Sequence, residues 1–340
     1  MANLCPEAFP HRQSAHCESG VVSNLLRREG VEVSEAMAFG IGRGLFFGYL
    51  PFIRLNGLPL VTYRSVAGRI IRHFSKFPGI SLQQKTFRDR RRAMVELDEA
   101  LAAGRPVGLQ TGVFWLPYFP RALRFHFNAH NLVVYGKAGE DYLISDPVFP
   151  APVRCPAPDL ERARFAAGAL APRGKMYWFQ ITDELFSPRL HIRAALDGVC
   201  RAMLGSPFPL IGVRGMRFLA GRLVRWPERL GHQRTILHLG HIVRMQEEIG
   251  TGGGGFRFMF SSFLRESAEL LADRQLRAGA ERMMQAGDEW RGFAAMAARI
   301  CKERTRPGDS CLALAASLRS CAAQEEAIFW ELSRWCREGR

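Results

Sequence analysis

The hydrophobic pattern of the chain changes near residue 185, and this change limits the folds that the chain can adopt. Before residue 185, β-branched and apolar runs typical of strands alternate with segments of helical period. After residue 185 only the helical period continues, interrupted by the breaks SPFP and TRPGD. The helical segments are 189–203, 235–249, 261–277, 280–304 and 310–337. We therefore predict an α+β domain over residues 1–185 and an α-helical accessory domain over residues 186–340.

A cysteine lies where a helix is expected to begin, in the segment SAHCESGVVSNLLRREG. Ser14 is a favourable N-cap, Glu18 is an acid in the first turn, and Gly30 is a common stop. The helix dipole and the first backbone N–H groups favour a thiolate over a thiol at Cys17. Cys17 is therefore a candidate nucleophile. The alternative is a small apolar residue packed beneath the start of a helix.

A nucleophilic cysteine requires a base and a group that orients the base, and the segment 124–149 offers both. This segment is typical of a β-hairpin with strands 131–135 and 142–145. A turn centred near Ala138 would place His130 and Asp146 across from each other on paired strands. The order Cys, His, Asp on these elements is that of papain-like cysteine enzymes. His126 is a competitor for the base role, but no acidic residue faces it across the predicted hairpin.

Four motifs occur in an order that resembles the butirosin biosynthesis protein H N-terminal family: HCESGVVSNLLRREG, SEAMAFGIGRGLFFGY, HNLVVYGK and LISDP. The segment EEIGTGGGGFRFMFSSFLRESAELL with a later DEW resembles the helical domain that often accompanies this family. The resemblance extends from about residue 10 to about residue 295. It implies a papain-like N-terminal domain that works as an acyltransferase. The family's name-giving member moves an acyl group from an acyl carrier protein thioester onto an amine of an aminoglycoside.

Carried over to this chain, the resemblance implies that Cys17 is the nucleophile, His130 the base and Asp146 the orienting acid. It implies no bound cofactor, since the acyl donor is carried on the phosphopantetheine arm of an acidic carrier protein. The acceptor is a small molecule with an amine or a hydroxyl. Two alternatives stay open: a cysteine hydrolase, either thioesterase or peptidase, with the same triad, and a non-catalytic scaffold that binds carrier proteins. The scaffold alternative predicts a buried Cys17 beyond hydrogen-bond reach of His130.

The oxyanion of an acyl-transfer intermediate needs two hydrogen-bond donors. The backbone N–H of Cys17 is one candidate, and the side chains of Gln13 and Gln110 are candidates for the other. Papain-like enzymes place this glutamine slightly farther upstream than Gln13. His16, beside the nucleophile, is a candidate for contacting the substrate.

The formal charge of +15 suggests an acidic partner. The arginines are spread over the chain and no recognised nucleic-acid motif is present. Mainly because the family resemblance implies a carrier protein, we favour an acidic carrier protein over nucleic acid. The densest basic run contains Arg90, Arg91 and Arg92 at the start of a predicted helix over residues 89–103. It is a candidate docking surface, and the alternative is a solvated helix face.

A run of four glycines, in TGGGGF, lies between two predicted helices. Successive glycines can present backbone N–H groups as an anion-binding nest, so Gly253 and Gly254 are candidates for a phosphate cradle. A hinge or a flexible linker is the alternative. The run lacks the Lys-Ser/Thr ending of a P-loop, so we do not predict ATP binding.

The remaining composition is that of a globular enzyme. No run approaches the roughly 18 apolar residues that a membrane span requires, and the N-terminus lacks a signal-peptide core. The eight cysteines are scattered without a C-x-x-C pair, so we expect no zinc site. Reduced cysteines favour a cytoplasmic location.

Overall fold

The computed structural model describes residues 9–55, 57–182 and 186–338. They form two compact units. The first comprises the residues up to Ala38 and Ile70–Phe186, and the second comprises Phe39–Arg69 and the chain from Ser187 onward. The predicted domain junction involves residue 185, which lies outside the described residues, so the two-domain boundary stays a prediction. The sequence pattern did not anticipate that Phe39–Arg69 groups with the C-terminal helices.

The helices and strands follow in chain order. They are α1 (Cys17–Arg28), α2 (Glu35–Ile41), β1 (Leu45–Leu55), β2 (Leu58–Arg64), α3 (Arg69–Phe74), β3 (Ile80–Lys85), α4 (Arg90–Ala102), β4 (Val107–Thr111), β5 (His130–Ala138), β6 (Asp141–Ser145), β7 (Val153–Pro156), α5 (Ala157–Arg164), β8 (Met176–Ile181), α6 (Pro188–Leu204), α7 (Gly212–Leu230), α8 (His232–Glu247), α9 (Arg257–Leu271), α10 (Arg274–Cys301) and α11 (Cys311–Glu338).

The first unit is built on a six-stranded antiparallel sheet in the order β3-β8-β4-β5-β6-β7. The apolar residues of its central strands, among them Leu109, Leu132 and Ile144, are fully buried with Leu97 of α4 and Leu160 of α5. Helix α1 packs on β5 and β8. The start of α1 and the start of β5 therefore come together on one rigid framework.

The second unit combines the β1–β2 hairpin with the six C-terminal helices. Among the described residues, every strand ends by Ile181, as the sequence pattern predicts. Helix α7 was missed because the segment is rich in arginine and contains Pro227 within the helix. The predicted helix over 261–277 is wrong, because the chain breaks at Ala272 and Asp273 caps a new helix by accepting a hydrogen bond from Leu276 N.

Candidate active site

Cys17 is the first residue of α1, where the positive end of the helix dipole lies. The N-cap is His16 rather than the predicted Ser14, because the Nδ1 atom of His16 accepts a hydrogen bond from the backbone N–H of Ser19. The Cys17 residue is 7% exposed. The structure therefore places His16 in a helix-capping role, and its contact with substrate stays a prediction.

Two carboxylates, the half-buried Glu35 and the fully buried Glu18, hold the backbone around Cys17. Glu35 accepts hydrogen bonds from Ala15 N at 3.0 Å and His16 N at 2.6 Å. Burial raises the pKa of Glu35, and these two backbone donors partly oppose the shift. Glu18, the residue after Cys17, accepts from Ile70 N and Ile71 N at the start of α3. The position of Cys17 is thus fixed from both sides.

His130 and Asp146 form a direct hydrogen bond, with 2.7 Å between His130 Nε2 and Asp146 Oδ2. Both side chains are almost completely buried. The prediction that the two residues lie directly across from each other is wrong, because Val133 pairs with Ser145 and the register shifts between Val134 and Gly136. Asp146 comes just after β6 and reaches His130 diagonally.

A side-chain hydrogen bond joins His130 to Cys17, so the structure brings the three predicted residues together. Burial alone would lower the pKa of His130. The Asp146 carboxylate, followed by the hydrogen bonds to Asp146 and Cys17, outweighs burial and raises this pKa to about 10. The geometry therefore favours an imidazolium beside the sulfur. It is not the geometry that the scaffold alternative predicts.

Tyr118 is a further contact of Asp146 that the sequence did not reveal. Its hydroxyl donates to Asp146 Oδ2 at 2.9 Å, while the backbone N–H of Val148 donates to Oδ1 at 3.2 Å. Burial, and next the Asp146 charge, raise the pKa of Tyr118 well above its ordinary value, so the hydroxyl stays a donor. Phe119 packs edge-on against the His130 ring, with 5.4 Å between centroids. Residues 118 and 119 thus cover the His130–Asp146 pair.

Two polar candidates are not part of this cluster. Both amide hydrogens of Gln110 already form hydrogen bonds, since Nε2 donates to the carbonyl oxygens of Asn128 and Leu170, each at 2.9 Å. The structure therefore does not support Gln110 as an oxyanion donor. His126 is exposed and stacks on Phe114, so it does not compete with His130 for Asp146. Gln13 is exposed four residues before Cys17, and its oxyanion role stays a prediction.

The predicted docking arginines are exposed in the first turn of α4, as the sequence suggests. Asp89 caps this helix by accepting from Arg92 N at 2.6 Å. Arg90 lies 3.9 Å from Glu161 and Arg92 lies 3.9 Å from Glu96. Such exposed and loose ion pairs contribute little to stability. The three side chains are thus available for an acidic partner.

The glycine run is an ordered and largely buried turn before α9. Gly253 and Gly254 have φ angles of 84° and 56°. The N–H of Gly254 donates to both carboxylate oxygens of Glu247, at 3.1 and 3.2 Å. The N–H of Gly253 donates instead to Thr251 Oγ1 at 3.0 Å, so the two N–H groups of the predicted nest have different partners within the chain. A slack linker and a vacant phosphate cradle are both inconsistent with these contacts.

Within residues 9–55, 57–182 and 186–338, none of the helices is long and apolar enough to cross a membrane. The same residues contain no group of three His, Cys, Asp or Glu side chains that could hold a metal ion.

Comparisons with known proteins give matches to two family models and to solved structures. The family model described as butirosin biosynthesis protein H, N-terminal, matches residues 16–147. The model of a domain of unknown function, DUF4872, matches residues 158–332, just over half of the chain. No curated protein matches the chain. A crystal structure from Bacillus anthracis described as a C39-like peptidase is 18% identical, with a TM-score of 0.37, and the match covers 52% of this chain and 96% of that chain.

The family matches confirm the resemblance drawn from the sequence motifs. Together with the packing of α1 on the antiparallel sheet, they confirm the predicted fold class. This class is a papain-like α+β N-terminal part followed by a helical C-terminal part.

Proposed function

The chain belongs to the DUF4872 family and carries a butirosin biosynthesis protein H N-terminal region, and from this premise we propose that it is a cysteine acyltransferase. Its substrate would be an acyl thioester on the phosphopantetheine arm of an acidic carrier protein. Its acceptor would be an amine or a hydroxyl of a small molecule. The papain-like cysteine-enzyme architecture is common to this proposal and to its hydrolase alternative.

The observation that carries the proposal is the hydrogen-bonded series Cys17, His130 and Asp146 at the start of α1. Because His130 uses Nε2 for Asp146, the other ring nitrogen is the one that can face the sulfur. An imidazolium and the positive end of a helix both stabilise a thiolate. The cluster therefore supports a nucleophilic role for Cys17, a proton-transfer role for His130 and an orienting role for Asp146.

In the first step, the Cys17 thiolate attacks the thioester carbonyl carbon and forms a tetrahedral intermediate. The intermediate collapses when the carbon–sulfur bond to the carrier breaks, and the leaving thiolate takes the proton of the His130 imidazolium. An acyl-enzyme and a neutral imidazole remain. The backbone N–H of Cys17, at the helix start, is the donor that we assign to the oxyanion, with Gln13 as the proposed second donor.

In the second step, the acceptor amine attacks the acyl-enzyme carbonyl. His130 accepts the proton that the amine loses, and the Cys17 thiolate leaves as the amide forms. The thiolate–imidazolium pair is then restored for the next cycle. Water in place of the amine would give hydrolysis with the same residues, so the proposal depends on which nucleophile reaches the acyl-enzyme.

Tyr118 supports the proposal as a positioning residue, because it donates to the same carboxylate oxygen that binds His130. With Val148 N on the other oxygen, the Asp146 carboxylate has donors at both ends and a fixed orientation. A fixed carboxylate holds the imidazole in one tautomer and one rotamer.

Intact-protein mass spectrometry after incubation with acyl carrier thioesters tests the proposal. The wild-type chain should gain the mass of one acyl group, Cys17→Ser should gain none, and Cys311→Ser, at a more accessible thiol, should behave as wild type. Addition of small amines should discharge the acyl-enzyme faster than water and yield the amide. Discharge at a rate independent of amine would establish the hydrolase instead. Labelling that persists in Cys17→Ser would rule out the covalent mechanism.

A further inference from the structure

A cavity of about 260 Å³ opens on the second unit, beside α6 and the turn before β1. Its lining residues are Arg43, Leu190, Arg193, Ala194, Asp197 and Arg201. Three of these six side chains are cationic and one is anionic, so the formal charge of the lining is +2. None of these lining residues is a proposed active-site residue.

The guanidinium of Arg43 reaches this cavity because of two unusual backbone positions, a left-handed Arg43 and a glycine within α6. Arg43 has a φ angle of 54°, a left-handed conformation that side-chain-bearing residues adopt only under constraint. Gly198 lies within α6, where glycine is unfavourable. A Cβ on Gly198 would lie 2.5 Å from the Arg43 guanidinium carbon. Gly198 therefore leaves the space that the Arg43 guanidinium occupies.

The positive charge at Arg43 is incompletely compensated. One guanidinium nitrogen donates to Ala194 O at 2.9 Å, but its Nε is buried with no hydrogen-bond partner among the residues that the structure describes. Burial lowers the pKa of Arg43, and the nearby Arg201 and Arg69 lower it further, against the opposing effect of Asp197. An anion in the cavity would relieve this repulsion.

The other two arginines are held in different ways. Arg193 stacks over the Trp335 ring at 3.9 Å and donates to the Trp335 carbonyl oxygen, so its side chain is fixed. Arg201 is largely exposed and pairs with Asp197 at 3.0 Å. Two anchored guanidiniums and one exposed guanidinium thus line one cavity, an arrangement that suits a tetrahedral anion with several acceptor oxygens.

We propose that this cavity binds the phosphate group of a small phosphorylated ligand. The lining charge of +2 matches a phosphate monoester dianion better than the single charge of a carboxylate. Guanidinium groups pair with phosphate oxygens through two parallel N–H donors, which a cluster of three arginines can supply from several directions. The inference stands independently of the acyltransferase proposal, since no residue is shared.

Calorimetric titration of the full chain, at constant ionic strength, tests the inference with inorganic phosphate, glycerol 3-phosphate and acetate as probes. Glycerol 3-phosphate should bind saturably and more tightly than acetate. Arg43→Gln and Arg201→Gln should each lower this affinity about tenfold, the loss expected for one charge-assisted contact. Arg189→Gln removes an exposed arginine of the same helix outside the cavity and should leave the affinity unchanged.

Gly198→Ala gives a second readout that does not remove a charge. Alanine favours the helix but displaces the Arg43 guanidinium, so the affinity should fall without a loss of helicity. If Arg43→Gln fails to fold, the affinity of Arg201→Gln for glycerol 3-phosphate tests the inference, because Arg201 is largely exposed. Absence of saturable binding, an equal loss in Arg189→Gln, or binding of inorganic phosphate without the monoester would overturn the inference.

Discussion

Gly20 lets α1 pack directly against Pro147, the residue that follows Asp146. A Cβ on Gly20 would lie 2.6 Å from the Cβ of Pro147 and 2.7 Å from the Cβ of Ser14. Ser14 N also donates to Pro147 O at 2.6 Å. The helix that carries Cys17 is therefore held against the loop that carries Asp146, and a residue without a side chain makes this approach possible.

Replacing Gly20 with alanine should separate these two elements. The added methyl group would overpack a closed contact, which costs about 1–3 kcal/mol, and would move Asp146 relative to Cys17. Acyl-enzyme formation should fall more than tenfold, since misplacement by about 1 Å can cost 100-fold. Gly221→Ala is the control, because a Cβ there meets no atom within 4 Å and alanine favours the helix. Native acylation by Gly20→Ala would show that the contact is not required.

Tyr118→Phe should impair turnover without removing any proposed catalytic group. Asp146 would lose one donor to its charged form, a contact worth about 1.5–3 kcal/mol for a charged partner, so kcat should fall by roughly tenfold or more. The alkaline limb of the pH–rate profile should move to higher pH, because a carboxylate that lacks the Tyr118 donor holds the proton of the His130 imidazolium more strongly.

A purely structural role for Tyr118 would lower the melting temperature and leave the pH–rate profile in place. Tyr135→Phe provides the control, since Tyr135 is also in the first unit and stacks on Phe9 through its ring. Its pH–rate profile should match that of the wild type.

The contact of Cys17, His130 and Asp146 could be anticipated because each residue has a local signal in the sequence. Cys17 lies at a predicted helix start, and a hairpin pattern surrounds His130 and Asp146. Tyr118 and Gly20 had no such signal, because their roles depend on residues about 30 and 130 positions away. The hydrogen bond from Gly254 N to the Glu247 side chain also had no signal in the sequence, because it depends on the path of the turn between the two residues. The strand β1 was missed because glycine and proline interrupt its apolar run.

The stability of the protein should depend on pH through His130. A histidine whose pKa is raised by folding stabilises the protein fully below its unfolded pKa near 6.5. This contribution is lost as the pH rises through the folded pKa of about 10. The free energy of unfolding should therefore decline between pH 6.5 and 10 in urea titrations. His130→Asn should flatten the decline, whereas His126→Gln, at an exposed histidine, should retain it. An unchanged slope in His130→Asn would contradict the assignment.

Reversal of Arg90, Arg91 and Arg92 to glutamate should slow association with an acidic carrier protein. Exposed charges steer association, and the effect should weaken with salt because screening acts over about 10 Å at 0.1 M. Thermal stability should not fall, since acidic residues in the first turn of a helix interact favourably with its dipole.

The control for this reversal is the pair Arg274→Glu and Arg277→Glu, to be compared with the α4 pair Arg91→Glu and Arg92→Glu as well as with the triple variant. These exposed arginines lie at the start of α10, which is also capped by an aspartate. Stopped-flow association rates should fall for the α4 variant and stay near wild type for the α10 variant. Equal rates for both variants would exclude α4 as the docking surface.

Gly254→Ala should destabilise the second unit rather than remove a substrate site. Its φ angle of 56° is strained for alanine, and a Cβ would lie 2.9 Å from Phe258 and 3.1 Å from Gly287 O. The cost should exceed the roughly 1–2 kcal/mol of left-handed strain alone. Gly252→Ala isolates that strain, because Gly252 has a φ angle of 66° and is exposed. Melting temperatures should therefore fall more for Gly254→Ala, and any loss of turnover should be equal with carrier-bound and short thioesters. A selective loss with the carrier-bound thioester, at unchanged stability, would restore the phosphate-cradle hypothesis.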